Sequence, residues 1–343
     1  MNFLSDNAYG AWPEILAAVA EAAVGATPSY GADPLTAAVE ARLGTIFAHR
    51  VIAFPVISGT AANALALATL CPPHGAVFCH AEAHIAVDEC GAPEFFTHGA
   101  KLVGVEGEHG KLTPAGLESA LAHFLKGFVH HAQPAVLSLT QSTELGTVYS
   151  PAEIAALAAV AHAHGMKVHM DGARFANALA HLGVSPAEAT WLAGVDVLSF
   201  GATKNGALAA EAVVFFDPAD ARDFEYRRKK SGHLVSKMRF VSAQLVAYLS
   251  EGRWLARAAH ANKLAARLAE GLQGVGVELA HPTQANAVFA WLPDALAKRL
   301  REAGAQFYDW GPPTGGRTQV RLVTSFATPA ADVEEFVALV NSK

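Results

Sequence analysis

An α/β fold built on a mostly parallel, seven-stranded sheet is the expectation for this chain, and three observations carry it. Short apolar runs alternate with helical segments from about residue 51 to residue 216, the pattern of parallel strands covered on both faces by helices. Two of these runs end on chemistry-bearing residues: 167–171 on Asp171, followed by Gly172-Ala173-Arg174, and 195–200 on a small-residue loop presenting Lys204. Hydrophobic residues make up 52% of the 343 positions, which favours a large buried core over disorder.

The remaining bulk properties exclude several classes. Net charge is −6 with mixed signs throughout, and no basic patch suggests nucleic acid. No apolar stretch reaches the roughly 18–20 residues that span a bilayer, and no amphipathic anchor suggests a membrane surface. The start, MNFLSDNAYGAW, lacks the basic-then-apolar pattern of a signal peptide. Cys71, Cys79 and Cys90 form an odd, sparse set that fits a reducing cytoplasm.

Taken in order, residues 1–12 are polar and irregular, and Pro13 opens a helix to about Val24. The loop 25–34 holds Tyr30, Gly31 and Asp33, and a helix over 35–47 follows. Strand 51–57 meets Ser58-Gly59-Thr60 at the start of helix 61–70. Small residues there leave backbone N–H groups free for an anion, although strand–glycine–helix junctions are common. Strand 76–79 precedes a helix carrying His84, Asp88 and Glu89. Strand 101–105, helix 113–125, strand 135–139, the alanine-rich helix 151–164 and the two strands above follow, and 212–216 closes the series. A basic helical stretch over 226–239 and a long helix over 254–272 come next. The tail reads β-β-α-β-β-α, a small α+β domain, which divides the chain into a large domain of residues 1–250 and a small one of 251–343.

Two parallel strand ends offering a carboxylate and a desolvated amine would form a site at the carboxyl edge of the sheet. Burial lowers a lysine's pKa and frees the amine for Schiff-base chemistry. Pyridoxal phosphate needs this pair, an imine-forming lysine and an anion at the ring nitrogen. Each residue alone has a plainer account, a solvated loop lysine and a helix N-cap aspartate, so the order of the whole set matters.

That order resembles the fold type I pyridoxal 5'-phosphate enzymes, and within them the low-specificity L-threonine aldolases. The matching residues are Ser5-Asp6, Tyr30-Gly31-x-Asp33-Pro34, Ser58-Gly59-Thr60-x-x-Asn63 and His84 with Glu89-x-Gly91. They continue with His169-x-Asp171-Gly172-Ala173-Arg174, Ser199-x-x-x-x-Lys204 and Arg321-Leu322-Val323-Thr324. The resemblance implies a carbon–carbon lyase that cleaves β-hydroxy-α-amino acids to glycine and an aldehyde, working as a homotetramer of tight dimers. Lys204 would hold the cofactor, Asp171 would face its ring nitrogen, and His84 would stack on the ring. Ser58, Gly59 and Thr60 would bind phosphate, with added charge from Arg239 and, less directly, Lys229. Ser5, Arg174 and Arg321 would bind the substrate carboxylate, with Tyr30 and Asp88 near the substrate. His84 and His130 are the candidate bases for the β-hydroxyl, and His131 is an adjacent rival to His130.

Four departures bear on substrate choice and leave the cofactor set intact. Ala32-Asp33 stands where many relatives have two acids, Asp88 where many have an aromatic, Asn205-Gly206 after the lysine where many have glycine next, and Thr140–Thr143 where Glu-Asn-Thr is usual. Competing readings are a β-eliminating or transaminating enzyme of the same fold and a non-catalytic cofactor-binding module. The 16 histidines lack a Cys pair or His-Glu-x-x-His frame, so no metal site is expected.

Overall fold

The computed structural model describes residues 1–342. The large sheet contains β1 (Ile52–Val56), β2 (Gly75–His80), β3 (Lys101–Val105), β4 (Gln133–Thr140), β5 (Lys167–Gly172), β6 (Val197–Gly201) and β7 (Glu211–Phe215), in the order β1-β7-β6-β5-β4-β2-β3. Only β7 runs against its neighbours. The carboxyl ends of β1, β4, β5 and β6 therefore share one edge, and the first residue of β7, Glu211, pairs with Val56 and Gly201 at that same edge.

Local chemistry explains the helices that frame this edge. Pro13 and Pro34 begin α1 (Pro13–Ala22) and α2 (Pro34–Ile46), the latter capped by Asp33 accepting from Thr36 N–H. Ser58 caps α3 (Gly59–Leu70), whose residues Ala61–Ala68 are all buried. A helix apolar all round belongs inside, packed against the sheet. After α4 (His84–Val87), α5 (Ala92–Phe96) and α6 (Pro114–Leu121), a Ser150–Glu153 capping box opens α7 (Pro151–Ala163).

Two helical segments differ from expectation. Helix α8 (Phe175–Leu182) directly follows Arg174 and buries Phe175, Ala176, Asn177, Ala178 and Leu179. The basic stretch 226–239 is two helices, because α9 (Phe224–Lys230) stops at Ser231 and Gly232 turns the chain at φ +81° before α10 (Arg239–Tyr248) begins. Within α9, Arg228 is buried and donates to the Pro55 carbonyl at 3.3 Å, so it braces the end of β1.

The long α11 (Arg253–Gly274) leads into the second sheet. That sheet holds β8 (Glu278–Leu279), β9 (Ala287–Pro293), β10 (Tyr308–Asp309) and β11 (Arg317–Val323), antiparallel in the order β10-β11-β9-β8, with α12 (Asp294–Glu302) and α13 (Ala330–Asn341) against it. The amino terminus is tied to this sheet: Phe3 N–H donates to Gln306, Val323 N–H donates to Phe3, and the Phe3 ring packs on Phe336 at 5.3 Å. Among the described residues no helix is long and apolar enough to cross a membrane.

Candidate active site

A cleft of about 270 Å³ opens at the carboxyl edge of the large sheet, and Lys204, Asp171, His84, Arg174, Ser58, Gly59 and Thr60 all line it. They arrive from four places along that edge: the start of α3, the start of α4, the end of β5 with the turn after it, and the turn after β6. Lys204 sits in a one-turn 3₁₀ segment after β6. Burial, then the charge of Arg174, pushes its pKa down. The following Asn205 is structural: its Nδ2 donates to Tyr248 Oη at 2.9 Å and to the Trp254 carbonyl at 2.8 Å. Gly206 is required because its φ is +111° and a Cβ there would collide with the Trp12 indole.

Asp171 ends β5. Its Oδ1 accepts from Ala173 N–H at 2.9 Å and its Oδ2 from Asn63 Nδ2 at 2.8 Å. The same Asn63 amide donates to Glu89 Oε1 at 2.8 Å, and Glu89 Oε1 meets His84 Nδ1 at 2.9 Å. The Glu89 bond raises the His84 pKa. His84, Glu89 and Asp171 bring ligand atoms within 4.8 Å of one another, but the Asn63 amide already donates to both carboxylates. Beneath Asp171, His169 is buried between Ser138 Oγ and Ser199 Oγ, both at 2.9 Å, and burial pushes its pKa down to about 4. It is therefore a neutral core histidine spanning three strands.

At the start of α3, Gly59 has nothing within 4 Å of where a Cβ would stand, and the Ser58 side chain already satisfies Ala61 N–H at 3.3 Å. With Ala62 N–H also taken, by the Ser58 carbonyl at 3.0 Å, Gly59 and Thr60 at the cleft wall are the residues whose N–H groups remain for an anion. Arg174 is held by Asp6, and Arg321 lies over Trp310 at 4.5 Å. Burial, then the charge of Arg174, pushes the Arg321 pKa down. Asp88 is exposed at the end of α4, where its charge also acts on Arg321. Ser5 lies beside the cleft, its Oγ accepting from Asn7 N–H at 3.1 Å.

Ser5, Asp88 and Arg321 are not among the residues that line the cleft, and four further expected residues lie elsewhere in the single chain. His130 lies on an exposed loop before β4, 4.9 Å from the Phe128 ring. That is the amino edge of the sheet, roughly 25 Å of strand away from the Asp171 edge. Its neighbour His131 points its Nδ1 at Leu125 N–H instead. Arg239 donates to the Gly25 carbonyl at 3.0 Å and lines a separate hollow with Asp33 and Glu21. Lys229 and Tyr30 are exposed and pair with each other, the ammonium 4.2 Å from the ring centroid.

Two cleft carboxyls had no expected role. Glu144 Oε1 accepts from His84 N–H at 2.7 Å, and its Oε2 is buried without a partner. Glu211 accepts from Ala202 N–H at 3.0 Å. Burial raises both to about 7. A lone acid opening the apolar run EAVVF, or inside TQSTELG, was the available signal. Because the folded pKa of Glu144 is raised from 4.5, its stabilising contribution is present below pH 4.5 and is lost as pH rises through 7. Glu144→Gln mimics the protonated form at every pH. The cofactor-free variant should gain on the wild type by about 3 kcal/mol between pH 4.5 and 7, with no further change above. Urea unfolding at pH 4.5, 6 and 8 measures this, and a constant difference would contradict it.

The parallel sheet with its amine, carboxylate and helix N-terminus on one edge defines a fold type I enzyme, the architecture of one large class of pyridoxal phosphate enzymes. Residues 2–295 match the beta-eliminating lyase family, and the chain belongs to that family. It is 44% identical to a low-specificity L-threonine aldolase of a Pseudomonas species over 98% of this chain and 96% of that protein. It is 46% identical to the Pseudomonas aeruginosa low-specificity L-threonine aldolase over 92% of this chain and 91% of that one. The Leishmania major threonine aldolase structure superposes with a TM-score of 0.94 at 28% identity, covering 99% of this chain and 98% of that one.

Proposed function

We propose that this protein is a pyridoxal 5'-phosphate-dependent aldolase that cleaves L-threonine, L-allo-threonine and related β-hydroxy-α-amino acids to glycine and an aldehyde, reversibly. The observation that carries the reading is the convergence of Lys204 and Asp171 on one cleft with an open helix N-terminus. The donor set fits the cofactor. Lys204 supplies an amine of lowered pKa, and α3 supplies a cradle that a Cβ at Gly59 would otherwise occupy. The Asn63 amide fixes one oxygen of Asp171, leaving a held carboxylate for the ring nitrogen. When bound, the cofactor supplies an electron sink for the bond-breaking step.

The chain's own residues do the rest. His84 Nδ1 is engaged by Glu89, so Nε2 is the atom free to take the β-hydroxyl proton, and the raised pKa strengthens it as a base. Arg174 and Arg321 bind the substrate carboxylate, with Ser5 and Asp88 flanking them. The large domain of residues 1–250 supplies the cofactor groups, and the small one of 251–343 supplies Arg321.

Roles for His130, Lys229, Tyr30 and Arg239 require a second copy of the chain. The loop before β4 exposes Leu125, Phe128 and Val129, the last 91% exposed, which favours burial between subunits of a homotetramer. Val129→Asp should then lower the assembly state seen by light scattering. An unchanged mass with full activity would remove the loop from the interface.

Product identity tests the central reading. With added cofactor, L-threonine and L-phenylserine should each give glycine and the matching aldehyde. A keto acid would instead assign β-elimination. His84→Phe should keep the cofactor absorbance while kcat falls about 10²–10⁴-fold; an unchanged kcat would move the base elsewhere.

A further inference from the structure

The Asp6 carboxylate is 2% exposed and meets Arg174 side-on: Nε donates to Oδ2 at 2.7 Å and Nη2 to Oδ1 at 2.9 Å. Asn286 Nδ2, from the segment before β9, donates to the same Oδ2 at 3.0 Å and to the Thr324 carbonyl at 2.7 Å. The strap carrying Asp6 is fixed to β11 through Phe3 and Val323, two residues beyond Arg321. One short piece of β11 thus sets the position of both Asp6 and Arg321.

A guanidinium offers two parallel-donor edges, Nε–Nη2 and Nη1–Nη2. Asp6 occupies the first. The second is left intact, and it belongs to a side chain that lines the cleft. We propose that Asp6 is a positioning residue that locks Arg174 on its Nε–Nη2 edge so that its Nη1–Nη2 edge receives the substrate α-carboxylate. The fixed carboxylate and the bound one are carried by Arg174 together and do not compete. Asp6 also offsets a run of like charges, since Arg174, Arg321 and Lys204 otherwise crowd one wall. Although burial opposes ionisation, the Arg174 charge and hydrogen bond hold Asp6 below the usual carboxylate range, so the clamp is ionised at any working pH.

The inference rests on the aldolase reading, and its test separates the two. Glycine and methylamine both react with a lysine-held cofactor, and only glycine carries a carboxylate. Their dissociation constants are measured by absorbance on the loaded wild type, Asp6→Asn and Arg174→Ala. Asp6→Asn places an amide donor against the Arg174 and Asn286 donors. It should weaken glycine about tenfold or more, leave methylamine within about twofold, and raise KM for L-threonine more than it lowers kcat. Asn286→Ala, which removes only the second hold on Asp6, should shift glycine affinity in the same direction by about threefold, and it decides the matter if Asp6→Asn does not fold. Tighter glycine binding in either variant would mean that Asp6 competes with substrate and would overturn the proposal. Equal weakening of glycine and methylamine would also overturn it, by showing a general structural role. A wild type that binds neither ligand, or Arg174→Ala with unchanged glycine affinity, would instead refute the aldolase reading or its carboxylate assignment.

Discussion

Lys204→Ala is expected to abolish aldehyde release from L-threonine, a loss of about 10⁴-fold or more, together with the absorbance of a lysine-linked cofactor. The reason is the uniqueness of this amine: among the residues lining the cleft it is the only lysine. Its pKa is lowered by burial and by Arg174, while Asp6, Asp171 and Glu211 partly restore it. The fold should survive, because the local turn is held by Asn205 on Tyr248 and Trp254 and by Gly206 against Trp12, without use of the Lys204 side chain. Purified variant protein, incubated with cofactor and assayed for both absorbance and acetaldehyde, gives the result. Retention of either would displace Lys204 from the centre of the site.

Asp171→Asn should have the next largest effect, a fall in kcat of about 10²–10³-fold, and of a different kind. The variant keeps its shape but loses the charge that would face the ring nitrogen. The lysine-linked absorbance should therefore persist while turnover collapses. Part of any stability change has a separate origin, because Asp171 accepts from Ala173 N–H and from Asn63, and one of these donors can lose its acceptor. That would cost about 1–3 kcal/mol, visible in the thermal midpoint and independent of substrate. Full activity in the variant would show that the carboxylate does not act on the cofactor.

Much of the fold was legible because parallel sheets are buried on both faces, so their strands are plain apolar runs. VDVLSF and KVHM could hardly be anything else, and the residues that follow them, Lys204 and Asp171, fall at the carboxyl edge by topology alone. Pro13, Pro114 and Pro151 marked helix starts through their fixed φ and missing N–H, and Pro34, read as the end of a loop, in fact opens α2. Where the sequence misled, local pattern was silent about partners. The basic run 226–239 looked continuous, yet Arg228 turned inward to Pro55 while Lys229 stayed outside on Tyr30. Helix α8 carries no start signal in the sequence, because Arg174 at its N-cap position makes no side-chain cap bond and no proline opens it.

The sequence by itself determined which candidate groups share one sheet edge, since Lys204, Asp171, His84, Arg174 and the Ser58–Thr60 turn each follow a strand of the same direction. Only the tertiary structure decided how they are held. Asn63 joins Asp171 to Glu89 and His84, Asp6 clamps Arg174 from the far end of the chain, and Glu144 holds the His84 backbone. Apart from His84 with Glu89, five positions on, these contacts link positions remote in sequence, and no periodicity or spacing encodes them. Strand direction likewise put His130 at the opposite edge: a residue before a parallel strand and one after it are separated by the strand's own length.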